Sequence, residues 1–235
     1  LQNGIPWWYF QNFVGEYANR VVETVDPGGL LFKSIDPDRL IGCIAYPAAT
    51  ISKPGVIQHI EGNRFPVGEL CGMKTERVQM VSDLFTESGF KSRILDDIRS
   101  EIWLKLWGNL TFNPISALSH STLVDICQFP LTRQLAATMM TEAQTVGECL
   151  GAHFRIPMEK RIAGAESVGK HKTSMLQDVE AGKPMEIESM LGAVIELAEV
   201  TGVQTPTLRA IYACVSLLDK TLSQEKILIK GISKE

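Results

Sequence analysis

Metal-ligand spacing is missing from this 235-residue chain. Its five cysteines (Cys43, Cys71, Cys127, Cys149, Cys214) are odd in number, scattered, and form no CxxC. Neither a zinc site nor a disulfide scaffold is suggested, and reduced, buried thiols in a cytoplasmic protein are the expectation. The four histidines (His59, His120, His153, His171) are equally isolated, with no HxxxH or HxH, so no metal ligation is expected. There is no GxSxG elbow, no GxxxxGK[ST] loop and no GxGxxG; the chain by itself offers no recognisable cofactor-phosphate loop. No apolar run approaches the ~18 residues of a membrane span, and no charged segment leads into an apolar one at the start. Positive charge is in short supply too: 23 Lys and Arg against 27 Asp and Glu give a net charge of −4, so no nucleic-acid footprint is expected.

What is present suits an ordinary globular chain, with 45% hydrophobic and 21% charged residues. Its length allows one large domain or two small ones. The opening Leu1-Gln2 is expected to end a strand and Asn3-Gly4 to turn out of it, as though an upstream part were missing. The run Trp7-Trp8-Tyr9-Phe10 is too clustered for a solvated loop and suits packing or a binding lid. Leu40–Tyr46 reads as a buried strand. Gly55–Ile60 and Arg64–Leu70 read as a hairpin around Glu61-Gly62-Asn63. A helix is expected over Glu76–Ser88, with Val78, Val81, Leu84 and Phe85 on one side, followed by a last strand over Lys91–Leu95. Residues 1–95 are therefore expected to be mixed α/β and residues 96–235 all-helical. Expected helices include 131–150, 157–169, 173–179, 186–200 and one opening at Thr205-Pro206, an N-cap with proline in the first turn.

The informative stretch is Ile102–Leu118, IWLKLWGNLTFNPISAL. Its Ile102, Trp103, Leu104, Leu106, Trp107, Leu110 and Phe112 are apolar almost all round, the mark of a buried helix. Through them runs a polar line, Lys105, Asn109 and Asn113, at i, i+4 and i+8, which fans over about 80° of the surface. An ammonium and two amides in a buried helix need partners. A small ligand with a carboxylate or carbonyl would serve; alternatively Lys105 snorkels to water and the asparagines bridge neighbouring segments. Ser174 stands at a helix start. Glu186 opens another helix, where it either complements the macrodipole or holds Lys105 charged and aimed. Lysine, carboxylate, amides and hydroxyl converging without metal suit polarisation and protonation of a carbonyl.

Lys105-x3-Asn109-x3-Asn113-Pro114-x2-Ala117-Leu118, Thr173-Ser174-Met175-Leu176-Gln177-Asp178 and Gly182-Lys183-Pro184-Met185-Glu186-Ile187, in this order, resemble the 2-dehydropantoate 2-reductase (ketopantoate reductase) family. Gly192, Gly202-Val203, Thr205-Pro206 and the Asn3-Gly4 turn extend the likeness over nearly the whole chain. The resemblance implies an α/β plus all-α fold: part of a Rossmann-type NADP-binding domain (1–95), without its glycine-rich loop, then a 6-phosphogluconate-dehydrogenase-like helical domain for substrate and dimerisation (96–235). It implies NADPH-dependent reduction of 2-dehydropantoate to (R)-pantoate, a step of pantothenate biosynthesis, in a cleft between the two domains. By match, Lys105 protonates the carbonyl oxygen, and Asn109, Asn113 and Ser174 hold the substrate's hydroxyl and carboxylate. Glu186 is a catalytic residue on the cofactor or substrate side, and Asn3 lies near both nicotinamide and substrate. Some members carry asparagines where this chain has Leu123 and His171, and Met185 replaces a frequent threonine, which leaves the exact 2-oxo acid open. A related 2-oxo or 3-hydroxy acid dehydrogenase and a non-catalytic helical association module are the alternatives.

Overall fold

The computed structural model describes residues 3–225 and 229; the strand end expected at Leu1-Gln2 lies outside them. An α/β part precedes a mostly helical part. After a compact loop region come a short helix α1 (Leu30–Ser34), strands β1 (Gly42–Cys43), β2 (Ala48–Lys53), β3 (Val56–Glu61) and β4 (Val67–Gly68), and helix α2 (Glu76–Glu87). Helices α3 (Ile98–Ser119), α4 (Leu123–Gln128), α5 (Pro130–Cys149), α6 (Met158–Ser167), α7 (Ser174–Ala181), α8 (Ala193–Thr201) and α9 (Pro206–Glu225) complete the described chain.

The strands pair differently from the hairpin expected around Gly62. β3 folds back on β2 through Pro54-Gly55, with Ile51 opposite Ile57, whereas β4 pairs antiparallel with β1, Gly42 opposite Gly68. Both Gly55 and Gly62 adopt positive φ, so either could turn the chain. Burial decides between them: Ile44 and Val67 enter the core, while β2 and β3 are half-exposed or exposed throughout. The segment Lys91–Leu95 contributes isolated parallel bridges, Arg64 to Lys91 and Val67 to Ile94, rather than a full strand. Of the residues expected on one side of α2, Val78 is buried as expected, whereas Leu84 is 57% exposed; Ser82 is the other buried residue of the helix.

The core is built around α3. Trp103, Trp107 and Leu110 are fully buried, as the all-round apolar sequence requires. Asp97 caps its start by accepting from the Ser100 amide. The Trp103 indole donates to the Tyr9 hydroxyl at 2.7 Å, and the Trp107 indole to the Met140 carbonyl at 2.7 Å. Buried indoles need such acceptors. Tyr9 and Phe10 are thereby core residues, which ties the N-terminal loop to the helical part. Helix α9 opens at the expected proline, yet the Thr205 hydroxyl is sealed without a partner. The Glu142 carboxylate, on α5, accepts from the Thr207 and Leu208 amides in its place. Of the cysteines, all free, Cys127 alone is buried; Cys43 is half-buried and Cys71, Cys149 and Cys214 are exposed, against the expectation of buried thiols.

Candidate active site

The polar line of α3 opens into a crevice between that helix and the N-terminal segment. The cavity holds about 170 Å³ and is lined by Asn3, Trp7, Trp8, Cys43, Lys105 and Asn109, among others. Its size suits a small acid, or one ring of a larger molecule, rather than a whole dinucleotide. A roomier depression of about 570 Å³ lies along the outer face of α2, but its walls are surface side chains such as Gln79, Met80 and Asp83. The crevice is therefore the better candidate.

The Lys105 ammonium is held at three sides. It donates to the Asn3 Oδ1 at 2.9 Å and to the Ala45 carbonyl at 2.5 Å, and lies 5.9 Å from the centroid of the Tyr46 ring. Asn3 spends its own amide N–H on the Glu186 carboxylate at 2.8 Å. One residue thus bridges lysine and glutamate, and the two expected functional charges fall in one network. Burial pushes the Lys105 pKa below the ordinary lysine range, while the Glu186 charge and, more weakly, Cys43 oppose that shift.

Asn3 is placed by its neighbour. Gly4 has φ +86°, and a Cβ there would lie 2.0 Å from the Ser189 carbonyl oxygen. The Ile5 amide donates to that same oxygen at 2.8 Å. Only glycine allows the turn to press this closely. The opposing backbone, Glu188–Gly192, is a π-helical turn leading into α8, a form of local irregularity frequent at functional sites. Glu186 stands just before it, at the edge of the helical segment rather than within it.

Further along α3, Asn113 is buried and its amide donates to the Ser174 hydroxyl at 3.2 Å. Ser174 is exposed at the first position of α7, whose cap is Thr173, accepting from the Leu176 amide. Asn109 makes no side-chain hydrogen bond among the described residues and faces the crevice. All six residues singled out in the sequence therefore lie along one face: Asn3, Lys105 and Glu186 in one cluster, Asn113 and Ser174 in a second, with Asn109 between them on the helix. What the sequence did not reveal is the wall opposite. Trp7 and Trp8 line the crevice while Tyr9 and Phe10 pack the core, so the packing reading of the aromatic run holds for Tyr9 and Phe10. The Ala45 carbonyl and the Tyr46 ring were missed because a strand's local pattern says nothing about the helix it faces.

Below this face sits a buried charge. Glu101, one turn before Lys105, is 3% exposed. It accepts from the Tyr46 hydroxyl at 2.7 Å and pairs with Arg93 and Arg155. Burial would raise its pKa, but the bonds from Arg155 and Tyr46 outweigh that and hold the carboxyl below its usual range.

The family model for the ketopantoate reductase PanE/ApbA C-terminal region matches residues 97–219. A 2-dehydropantoate 2-reductase from Mesorhizobium japonicum is 50% identical over 218 residues, covering 93% of this chain and 67% of its own length. A crystal structure of a candidate ketopantoate reductase from Ralstonia solanacearum MolK2 superposes with a TM-score of 0.88 at 32% identity, covering 93% of this chain and 67% of that one. The 2-dehydropantoate 2-reductase of Methylococcus capsulatus does so with a TM-score of 0.72 at 32% identity, over 78% of this chain and 64% of that one. The chain spans about two thirds of the length of these relatives. These relatives make the chain a nicotinamide-dependent oxidoreductase, in which Asn3 bridges Lys105 and Glu186 at the crevice. Within that class, the chain belongs to the ketopantoate reductase family.

Proposed function

We propose that the intact protein reduces the C2 ketone of 2-dehydropantoate to (R)-pantoate at the expense of NADPH. The observation that carries this reading is the Lys105 ammonium, held at a crevice by Asn3 and Ala45 and linked through Asn3 to Glu186. The residues present fit the reacting end of the cofactor: a polar pair, Asn3 and Glu186, near a crevice lined by Trp7 and Trp8, with no glycine-rich phosphate loop in the sequence. When bound, NADPH supplies a hydride to C2. The chain's own work is to bind, orient and protonate. Lys105 donates a hydrogen bond to the ketone oxygen, and as charge develops there it passes its proton to that oxygen, leaving a neutral amine that is reprotonated from solvent. Glu186 keeps the lysine charged between turnovers, since an adjacent anion favours the ammonium. Asn109, Asn113 and Ser174 hold the acid's hydroxyl and carboxylate; Asn109, without a side-chain hydrogen bond among the described residues, is ready to do so without breaking an existing bond.

The remaining parts of the reading follow the family. Residues 1–95 contribute to a nucleotide-binding domain and 96–235 form a helical substrate domain through which two copies pair, in the cytoplasm. That all strands among the described residues precede Glu69 and that the family model begins at residue 97 support the division. No described helix is long and apolar enough to cross a membrane. The test is NADPH oxidation by the intact protein with 2-dehydropantoate. Lys105→Ala is expected to lower kcat by roughly 10²–10⁴-fold; a loss under about threefold would remove the lysine from the chemistry.

A further inference from the structure

Two rungs join helix α3 to the segment 44–46, which lies between β1 and β2. In one, the Lys105 ammonium donates to the Ala45 carbonyl at 2.5 Å. In the other, the Tyr46 hydroxyl donates to Glu101 Oε1 at 2.7 Å. Residues 101 and 105 stand one turn apart and share a face of the helix, while residues 45 and 46 are consecutive. Among the described residues these are the side-chain hydrogen bonds between the two elements. The backbone bonds of the segment run elsewhere: the Ile44 and Tyr46 amides donate to the Pro66 and Arg64 carbonyls. They fix the segment within the α/β part, not against the helix.

Glu101 suits the task of holding its rung. It is buried, and Arg93 and Arg155 both pair with Oε2, which leaves Oε1 to Tyr46. A hydroxyl donating to an ionised carboxylate makes a stronger bond than a neutral pair. The Arg64 guanidinium lies 4.3 Å from the centroid of the Tyr46 ring and steadies it from a second direction. That ring in turn stands 5.9 Å from the Lys105 Nζ.

An ammonium carries three N–H donors at the end of a flexible stem. Asn3 and Ala45 accept from two of them. The third is left for a ketone oxygen, and its direction follows from where those two acceptors stand. Asn3 is set by the Gly4 turn. The Ala45 carbonyl is set against α3 by its neighbour's bond to Glu101.

We propose that Tyr46, anchored on Glu101, is a positioning residue for Lys105: it keeps the Ala45 carbonyl and its own ring against the ammonium and so aims the remaining N–H at the ketone oxygen. This rests on the function proposed above. Tyr46 and Glu101 need touch neither the acid nor the cofactor; they act through the lysine.

The experiment is steady-state kinetics of the intact protein with 2-dehydropantoate and NADPH, comparing wild type, Tyr46→Phe, Glu101→Gln and Lys105→Ala, and each of the first two substitutions combined with Lys105→Ala. Tyr46→Phe, which removes only the hydroxyl, is expected to lower kcat about tenfold while leaving both KM values within about threefold. Glu101→Gln weakens the same bond from the other end and should lower kcat by about threefold. In the Lys105→Ala background both substitutions should change turnover by less than about twofold, because the group they act through is gone. A merely structural role would cost the same factor in either background. Glu101→Gln carries this comparison if Tyr46→Phe does not fold. An unchanged kcat in Tyr46→Phe overturns the proposal, as does a loss that persists in Lys105→Ala. Wild-type turnover separates the two levels. If the wild type reduces 2-dehydropantoate and Tyr46→Phe does so with the same kcat, the positioning role fails alone. A wild type that reduces no 2-oxo acid ends the functional reading and the positioning role together.

Discussion

Helix α3 and the β2–β3 hairpin are both rich in apolar residues, and they end in opposite environments. Along α3, 17 of 22 residues are buried. In the hairpin, Ile51, Val56, Ile57 and Ile60 are 77%, 49%, 73% and 55% exposed. Hydrophobic composition thus predicts burial only where other elements exist to provide cover. α3 is wrapped by α4, α5, α7 and α9, whereas among the described residues the hairpin pairs only with itself. The contrast also gives the polar residues of α3 their meaning. A lysine on the hairpin would be a solubilising charge, but on α3 it costs free energy unless something answers it.

Three substitutions sharpen the comparison, in descending order of effect. Trp103→Ala removes a fully buried indole and its bond to Tyr9 and should lower unfolding free energy by about 3–5 kcal/mol in denaturant titration. A loss below 1 kcal/mol would mean that α3 is not the organising element. Gly4→Ala drives a methyl against the Ser189 carbonyl. It should cost about 1–3 kcal/mol through backbone strain and, by displacing Asn3, lower turnover as well; full activity in that variant would uncouple the turn from the site. Ile57→Ala, on the hairpin, should change stability by no more than about 0.5 kcal/mol. A larger loss would reveal a covering surface in the intact protein.

Acid sensitivity adds a fourth test on the α3 side. The Glu101 carboxyl is held below its unfolded value by Arg155 and Tyr46. Its contribution to stability is therefore complete above the unfolded carboxyl pKa and disappears as pH falls through the depressed folded one. Glu101→Gln should flatten that acid-side loss in thermal melts as well as lowering stability near neutrality by about 1–3 kcal/mol.

Much of this was legible from the sequence because helices advertise themselves locally. The apolar sweep from Ile102 and the proline that opens the last helix at Pro206 are short-range signals, and the three matched motifs named the family. Pairing is non-local, and there the reading slipped. Two turn candidates, Pro54-Gly55 and Glu61-Gly62-Asn63, compete in the sequence, and only the burial of Ile44 and Val67 chooses between them. The cap of α9 shows the same thing on a smaller scale: Thr205 has the right side chain, but Glu142, more than 60 residues away in sequence, supplies the oxygens. Within the site, residues inside motifs were found and their partners outside motifs were not. Ala45 contributes a carbonyl that every residue owns, and Tyr46 sits in a strand-like run whose local pattern says nothing about the lysine it faces.

The central claim is that a partly desolvated ammonium, kept charged by a nearby carboxylate, protonates the ketone oxygen. It is tested most directly by the pH dependence of kcat in the intact protein and in Glu186→Gln. Because burial lowers the Lys105 pKa and Glu186 opposes that shift, activity should fall on the alkaline side below the ordinary lysine range. Removing the carboxylate's charge should move that limb to still lower pH. An alkaline limb that stays where it is in Glu186→Gln would contradict the account.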